Sequence, residues 1–284
     1  MQLNEVWIED IVGRALAEDL GECDVTTEAL LSGDERATAF ILVKGKGILA
    51  GINVAERVFH KVDEGLKVDI LMEDGYRVNP GDVVAKMNGR AASIMKAERV
   101  ALNFLQRLSG IASETNRYVE AIAGLSVRIL DTRKTTPGLR PLEKYAVKVG
   151  GGENHRMNLS DGILIKDNHL AALRSYGLTI KEIVAKARLN TAPGIKVEVE
   201  TMTVPESREA AEAGADIIML DNMSLVDMRE AVRDIRGRAL IEASGGVTLD
   251  NVRAVAETGV DFISIGALIH SAKALDISLE LKPE

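Results

Sequence analysis

The run Asp131-Thr132-Arg133-Lys134-Thr135-Thr136-Pro137-Gly138 gathers two cations, hydroxyls and a Pro-Gly turn in eight residues. Just before it, Val127-Arg128-Ile129-Leu130 is an apolar run with the length of a buried strand. Just after it, Pro141 to Val149 reads as a helix. The polar run therefore sits at the C-terminal end of a strand, where α/β proteins bind ligands.

The same arrangement recurs downstream with different polar groups. Apolar strands are expected at 127–131, 162–166, 196–200, 216–221, 240–244 and 262–266. Their C-terminal ends deliver Arg133 and Lys134, Lys166 with Asp167-Asn168-His169, Glu200, Asp221-Asn222, Ser244-Gly245-Gly246 and Gly266-Ala267. A glycine-rich loop ahead of the second strand carries His155 and Arg156. One sector of this ring is cationic: Arg133, Lys134, His155, Arg156 and Lys166. A second is acidic, Glu200 and Asp221. A third is small and glycine-bearing, Ser244, Gly245, Gly246, Gly266 and Ala267. Arginine and lysine suit carboxylates and phosphates. Small residues after the last two strands suit a phosphate held on backbone N–H groups. The carboxylates suit Mg²⁺, sugar hydroxyls or a developing positive charge. Together these point to a phosphorylated sugar, a second anionic compound, and glycosyl transfer through a cation-like sugar.

The elements that must position these groups divide the chain in two. Helical spacing marks 5–20, 53–62, 180–187, 204–213, 225–235 and 249–258. Up to residue 90, strands and helices mix without regular alternation, as in an α+β domain. A long helix over 91–108 and a second over 111–122 follow, with Ser109-Gly110 as the expected kink. From Val127, strand and helix alternate, which implies a parallel sheet. Eight such units need about 250 residues, more than remain. The expected fold is therefore an incomplete, six- to seven-stranded TIM-like α/β barrel preceded by an α+β open-sandwich N-terminal domain, with an open doubly wound sheet as the alternative to the barrel. The expected limits are 1–112 for the N-terminal domain and 113–267 for the barrel, with the tail 268–284 packing on the former.

The chain has 284 residues and a net charge of −8, an acidic balance that argues against nucleic acid. Aromatic content of 3% gives no stacking platform for single strands. Cys23 is the only cysteine, which excludes an internal disulfide and fits a cytoplasmic location. No apolar run reaches membrane-spanning length, and the start lacks the pattern of a signal peptide.

At these residues the sequence resembles the quinolinate phosphoribosyltransferase family, the carboxylating nicotinate-nucleotide pyrophosphorylases, which are type II phosphoribosyltransferases. The resemblance rests on Ala97–Asn103, Leu108–Ala112, Asp131–Gly138, Lys144–Val147, Gly150–Gly152, Asn154–Arg156, Ile165–His169, Val197–Glu200, Met219–Asn222, Ser244–Gly246 and Gly266–Leu268, in the family's order and across nearly the whole chain. Two departures, Ala243 where Ser is common and Ile269 where Thr is common, remove no backbone donor. The resemblance implies transfer of phosphoribosyl from phosphoribosyl pyrophosphate to quinolinate, giving nicotinate mononucleotide, pyrophosphate and CO2 for de novo NAD biosynthesis, with Mg²⁺ as cofactor. It implies a homodimer and casts Arg99, Arg133, His155, Arg156 and Lys166 at quinolinate, with Arg99 supplied across the interface. It casts Lys134, Glu200 and Asp221 as catalytic, with Glu200 and Asp221 at the ribose and metal, directly or through water. Lys134, Lys166, Ser244, Gly245, Gly246, Gly266 and Ala267 would take the phosphoribosyl group.

By spacing alone Arg99 is an ordinary surface arginine, His60 a helix-surface histidine and His169 a helix cap. Lys44-Gly45-Lys46-Gly47 lacks the spacing of a P-loop. Both Glu198 and Glu200 alternate with valines and face the barrel interior; Glu200, nearer the strand's end, is the better candidate. An alternative activity is a related phosphoribosyltransferase or pyrophosphorylase with another substrate, such as the molybdenum-associated homologues. A silent barrel that only senses a phosphorylated metabolite is disfavoured by the presence of both Glu200 and Asp221.

Overall fold

Alternation along Arg36–Val43 (β1) buries Ala37, Ala39, Ile41 and Val43 and turns the intervening residues outward. This strand is central to an antiparallel sheet of order β12-β1-β5-β3, with β3 at Lys67–Ile70, β5 at Val83–Arg90 and β12 at Ile277–Pro283. The structure is a computed structural model and describes residues 4–283. The first of its two units comprises the residues up to Asn116, Thr136–Gly151, and those from Leu268 onward. Besides the sheet it holds the short pair β2 (Gly47–Ile48) and β4 (Arg77–Val78), with helices α1 (Glu5–Leu20), α2 (Val25–Leu30), α3 (Ile52–Val62) and α5 (Arg140–Val149). Asn4 and Asp24 cap α1 and α2 by accepting the backbone N–H groups of Trp7 and Thr27.

Helix α4 (Ala91–Ala121) runs unbroken through Ser109-Gly110, so the two helices expected on either side of it are one. Gly110 answers a different need. A Cβ there would lie 2.1 Å from the Lys273 carbonyl oxygen, so the glycine lets the C-terminal segment cross the helix.

Thr136–Gly151, placed in the barrel on sequence grounds, groups with the first unit. Its anchors explain why. The fully buried Glu143 carboxylate accepts Arg107 Nη2 at 2.8 Å, Thr136 N–H at 2.8 Å and Thr136 Oγ1 at 2.8 Å. Tyr145 Oη donates to Asp74 at 2.6 Å, and Asp74 also accepts the N–H groups of Gly51 and Ile52 where α3 begins. Gly150 lies so close to α4 that a Cβ would be 2.4 Å from the Ala112 carbonyl oxygen.

The second unit, Arg117–Thr135 with Gly152–Ala267, is the barrel. Its strands are β6 (Arg128–Leu130), β7 (Ile163–Ile165), β8 (Val197–Thr201), β9 (Ile217–Asp221), β10 (Leu240–Ser244) and β11 (Phe262–Ser264). They form one parallel sheet of order β6-β11-β10-β9-β8-β7. Helices α6 (Asp167–Arg174), α7 (Ile180–Leu189), α8 (Val204–Glu212), α9 (Leu225–Ile235) and α10 (Val252–Ala256) fill the crossovers, and α11 (Ala267–His270) follows β11. Strands β6 and β7 do not pair. Instead Leu130 bridges Glu153, Glu153 N–H donates to Ile129 O at 2.8 Å, and Asp131 N–H donates to Glu153 O at 3.1 Å. The loop ahead of β7 thus supplies a fragment of a seventh strand, and the barrel is incomplete and TIM-like. The helix expected over 249–258 is the five-residue α10, because Thr248 to Asn251 form a turn closed by Thr248 N–H on Asn251 Oδ1 at 2.8 Å. Among the described residues no helix is long and apolar enough to cross a membrane.

Candidate active site

The site begins with Asp131, fully buried at the end of β6. It accepts Asn154 Nδ2 at 2.6 Å and His155 N–H at 2.9 Å, pinning the seventh-strand fragment against β6. This clamp sets the position of His155 and Arg156. The Arg156 guanidinium donates to Gly162 O at 3.1 Å, tying the far end of the same loop.

Above these residues lies a cavity of about 320 Å³ at the C-terminal mouth of the strands. Arg133, Lys134, His155, Arg156 and Lys166 line it, and so do Glu200, Asp221 and Ser244. Arg133 and Arg156 line the same cavity, and burial and then the Arg133 charge disfavour the charged form of Arg156. Cations held together in this way are a receptor for a multiply charged anion. Across the cavity Glu200 Oε2 lies 3.8 Å from Lys166 Nζ. Burial raises the Glu200 pKa, Lys166 lowers it, and the Asp221 charge raises it again. Lys166 itself is held from below, since its backbone N–H donates to His169 Nδ1 at 2.9 Å, with His169 capping α6.

The glycine-bearing sector is built where β9 and β10 end. Asn222 N–H donates to Ser244 O at 2.9 Å. Gly245 has φ +85°, and a Cβ on it would meet Asn222 Oδ1 at 2.4 Å, so only glycine fits. Of this sector Ser244 lines the cavity; Gly245, Gly246, Gly266 and Ala267 do not. Arg99 is exposed on α4 in the first unit and is also absent from the lining.

Sequence reasoning missed what lies beneath the mouth. His155 Nε2 is 3.2 Å from Glu198 Oε2 and 3.5 Å from Glu242 Oε2, and both glutamates are buried. On the other edge of the ring, Arg156 N–H donates to Nδ1 at 2.8 Å. Burial alone would lower the His155 pKa, but the adjoining carboxylates of Glu198 and Glu242 outweigh it and raise it to about 10. Whether Nδ1 accepts from the backbone or the ring is protonated, Nε2 carries a hydrogen, and that hydrogen faces the carboxylates. Inward-facing glutamates on β8 and β10 were the available signal: a charged residue in the middle of an apolar strand must have a buried partner.

A parallel barrel with cations and a carboxylate pair around its C-terminal mouth is the frame of an enzyme for anionic substrates. Residues 24–109 match the N-terminal domain of quinolinate phosphoribosyl transferase, and residues 111–280 match its C-terminal domain. The chain is 42% identical over 279 residues to a probable carboxylating nicotinate-nucleotide pyrophosphorylase of Bacillus subtilis, covering 98% of this chain and 95% of that one. It is 44% identical to a mitochondrial decarboxylating quinolinate phosphoribosyltransferase of Nicotiana glauca, covering 98% and 83%. Its fold is similar to that of NadC from Streptococcus pyogenes, with a TM-score of 0.95, 43% identity and coverage of 100% and 99%. A nicotinate-nucleotide pyrophosphorylase from Francisella tularensis gives a TM-score of 0.92 at 38% identity, with coverage of 99% and 98%. The chain belongs to the quinolinate phosphoribosyl transferase family and is a phosphoribosyltransferase enzyme.

Proposed function

We propose that the mouth cavity is where this chain transfers phosphoribosyl from phosphoribosyl pyrophosphate to quinolinate, releasing pyrophosphate and CO2 and leaving nicotinate mononucleotide for NAD biosynthesis. The observation that carries the reading is the convergence of Arg133, Lys134, Arg156 and Lys166 with Glu200 and Asp221 on one cavity. Two polyanions repel each other in water; a shared cationic wall removes that barrier and holds them in reacting order. Arg133 and Arg156 suit the pyridine dicarboxylate because each guanidinium offers a planar fork of donors. Lys134 and Lys166 carry point charges toward the phosphate end.

As pyrophosphate leaves, the sugar becomes cation-like, and Glu200 and Asp221 stabilise it from the acidic side. The pyridine nitrogen attacks the anomeric carbon. The resulting pyridinium draws the electron pair released when the adjacent C–CO2 bond breaks, and a proton from solvent takes the vacated carbon. Glu200 and Asp221 also fit Mg²⁺. They lie at the C-terminal ends of adjacent strands, Glu200 one residue before the end of β8 and Asp221 at the end of β9, offer only hard carboxylate oxygens, and the Asp221 charge disfavours that of Glu200, a repulsion that a divalent cation relieves. Such an ion would neutralise the departing pyrophosphate.

The reading extends to a cytoplasmic homodimer in which a second copy supplies Arg99, which is exposed and outside the cavity of its own chain. A coupled assay with purified protein, Mg²⁺, phosphoribosyl pyrophosphate and quinolinate tests the activity. Stoichiometric nicotinate mononucleotide and CO2 support it. Product from nicotinate but none from quinolinate would refute the assignment of the cationic wall.

A further inference from the structure

The barrel unit has a second cavity, of about 370 Å³, at the opposite ends of its strands. Arg128, Lys196, Ile217, Leu240 and Phe262 line it, residues at or just before the starts of β6, β8, β9, β10 and β11. His155, Arg156 and Glu242 line both this cavity and the mouth, so the layer they form is the floor of the active site. Glu242 is 1% exposed, and Glu198 beside it is 4% exposed. Glu198 Oε1 and both carboxylate oxygens of Glu242 have no hydrogen-bond partner, and Glu242 Oε2 faces His155 Nε2 as a longer polar contact at 3.5 Å. Carboxylates buried at such cost require a purpose.

One ligand atom from each of His155, Glu198 and Glu242 lies within 4.8 Å of the others, the spacing of a metal site. The ring argues against that use. A neutral imidazole that binds a metal through Nε2 must carry its hydrogen on Nδ1. Here Nδ1 accepts the Arg156 N–H at 2.8 Å. The ring therefore presents an N–H, not a lone pair, to the carboxylates. Both its nitrogens are committed to the protein, one downward to Glu198 at 3.2 Å with Glu242 beside it at 3.5 Å, and one sideways to the Arg156 backbone.

We propose that Glu242, with Glu198, is a positioning residue for the acceptor substrate: the two carboxylates lock the His155 ring, and the locked ring fixes the backbone from which Arg156 reaches into the mouth. His155 then acts as the strut of the cationic wall, and its contribution to the dicarboxylate is transmitted through Arg156. The inference rests on the reading of the mouth as the quinolinate site. It separates the two substrates, because the strut touches Arg156 and leaves Glu200, Asp221 and Ser244 alone. An exchange at position 242 must therefore weaken one substrate selectively.

The test is steady-state kinetics of the full chain with Mg²⁺, varying each substrate in turn, for wild type, Glu242→Ala and Glu242→Gln. Glu242→Ala is expected to raise KM for quinolinate about 10-fold or more, the effect of about 1.4 kcal/mol, while KM for phosphoribosyl pyrophosphate stays within about twofold. Glu242→Gln keeps a polar oxygen of the same reach facing Nε2 and is expected to recover most of the loss. If Glu242→Ala does not fold, Glu242→Asp, which withdraws the carboxylate by one methylene, is expected to show the same selective rise. Parallel rises in both KM values, a fall in kcat alone, or a Gln variant as impaired as Ala would overturn the proposal. So would a metal ion bound stoichiometrically in wild type and lost in Glu242→Gln. Absence of quinolinate turnover by wild type would instead strike the reading of the mouth, whereas wild-type turnover with an unchanged quinolinate KM in Glu242→Ala would strike the strut alone.

Discussion

Alanine at Gly110 should destabilise the first unit, while alanine at Gly13 should stabilise it. Both glycines sit inside helices, Gly13 in α1 and Gly110 in α4. On helix propensity each exchange gains about 0.5–1 kcal/mol. At Gly13 nothing lies within 4 Å of the new Cβ, so the gain stands. At Gly110 the Cβ would come 2.1 Å from Lys273 O and 3.0 Å from Ala274 Cα, both backbone atoms that no rotamer change can remove. The crossing segment is also pinned: Leu275 N–H donates to Gln106 O at 3.0 Å, and Gln106 Nε2 donates to Ile277 O at 2.6 Å. Relieving the overlap means moving that backbone by roughly 1 Å, an overpacking cost of about 3 kcal/mol at the upper end of the usual range. Subtracting the propensity gain leaves about 2 kcal/mol of net destabilisation. Trp7, the only tryptophan, lies in α1 of the same unit, so fluorescence-detected urea unfolding reads both variants. A Gly110→Ala midpoint equal to or above that of wild type would refute the reasoning.

Other outcomes follow from the same contacts. Arg133→Ala should lower kcat/KM for quinolinate by at least about 100-fold, the loss of charge-assisted bonds worth about 1.5–3 kcal/mol each; near-wild-type kinetics would remove Arg133 from the site. Arg107→Ala leaves the fully buried Glu143 without its cation and should destabilise by about 3–5 kcal/mol in urea unfolding. Its Glu143→Gln counterpart, which has no charge to strand, should cost less. Asp63 is held below its ordinary pKa of 3.8: burial acts to raise it, but Ser93, Gly65 and Arg90 outweigh burial. Because the unfolded chain binds that proton more readily, the contribution of Asp63 is complete above pH 3.8 and is lost as pH falls through the lower folded value. The Tm deficit of Asp63→Asn should therefore be larger at pH 7 than at pH 3, and an unchanged deficit would exclude the charge as its origin.

The barrel strands were legible because buried parallel strands are short apolar runs between turn signals, and β9 and β10 end at the residues where those runs end. Glu200 and Asp221 were legible for the same reason: polar residues near the C-terminal ends of parallel barrel strands lie at the mouth. The floor was not. Glu198 differs from Glu200 only by one step of the strand's period, and no sequence pattern says that His155, from a loop, will descend to meet it. Strand β12 was missed because Ile277–Pro283 alternates charge with apolar residues too briefly to stand out, and its pairing with β1 spans most of the chain. Helix α5 was recognised, but its allegiance depends on Glu143 meeting Arg107 and Tyr145 meeting Asp74, which are side-chain pairings with no local signature.

The register of β12 on β1, from Ala37 opposite Pro283 to Val43 opposite Ile277, bears on synthesis. A ribosome delivers β1 long before its edge partner, and in between it emits every strand of the barrel. The parallel strands and their crossovers can close as soon as β11 has emerged, while the sheet that began the chain still has an unpaired flank along β1. The nascent protein thus matures from its middle outward, and its earliest strand is the longest exposed to wrong partners. That interval is the window in which a chaperone would find this polypeptide, and the feature it would find is the open side of Arg36–Val43.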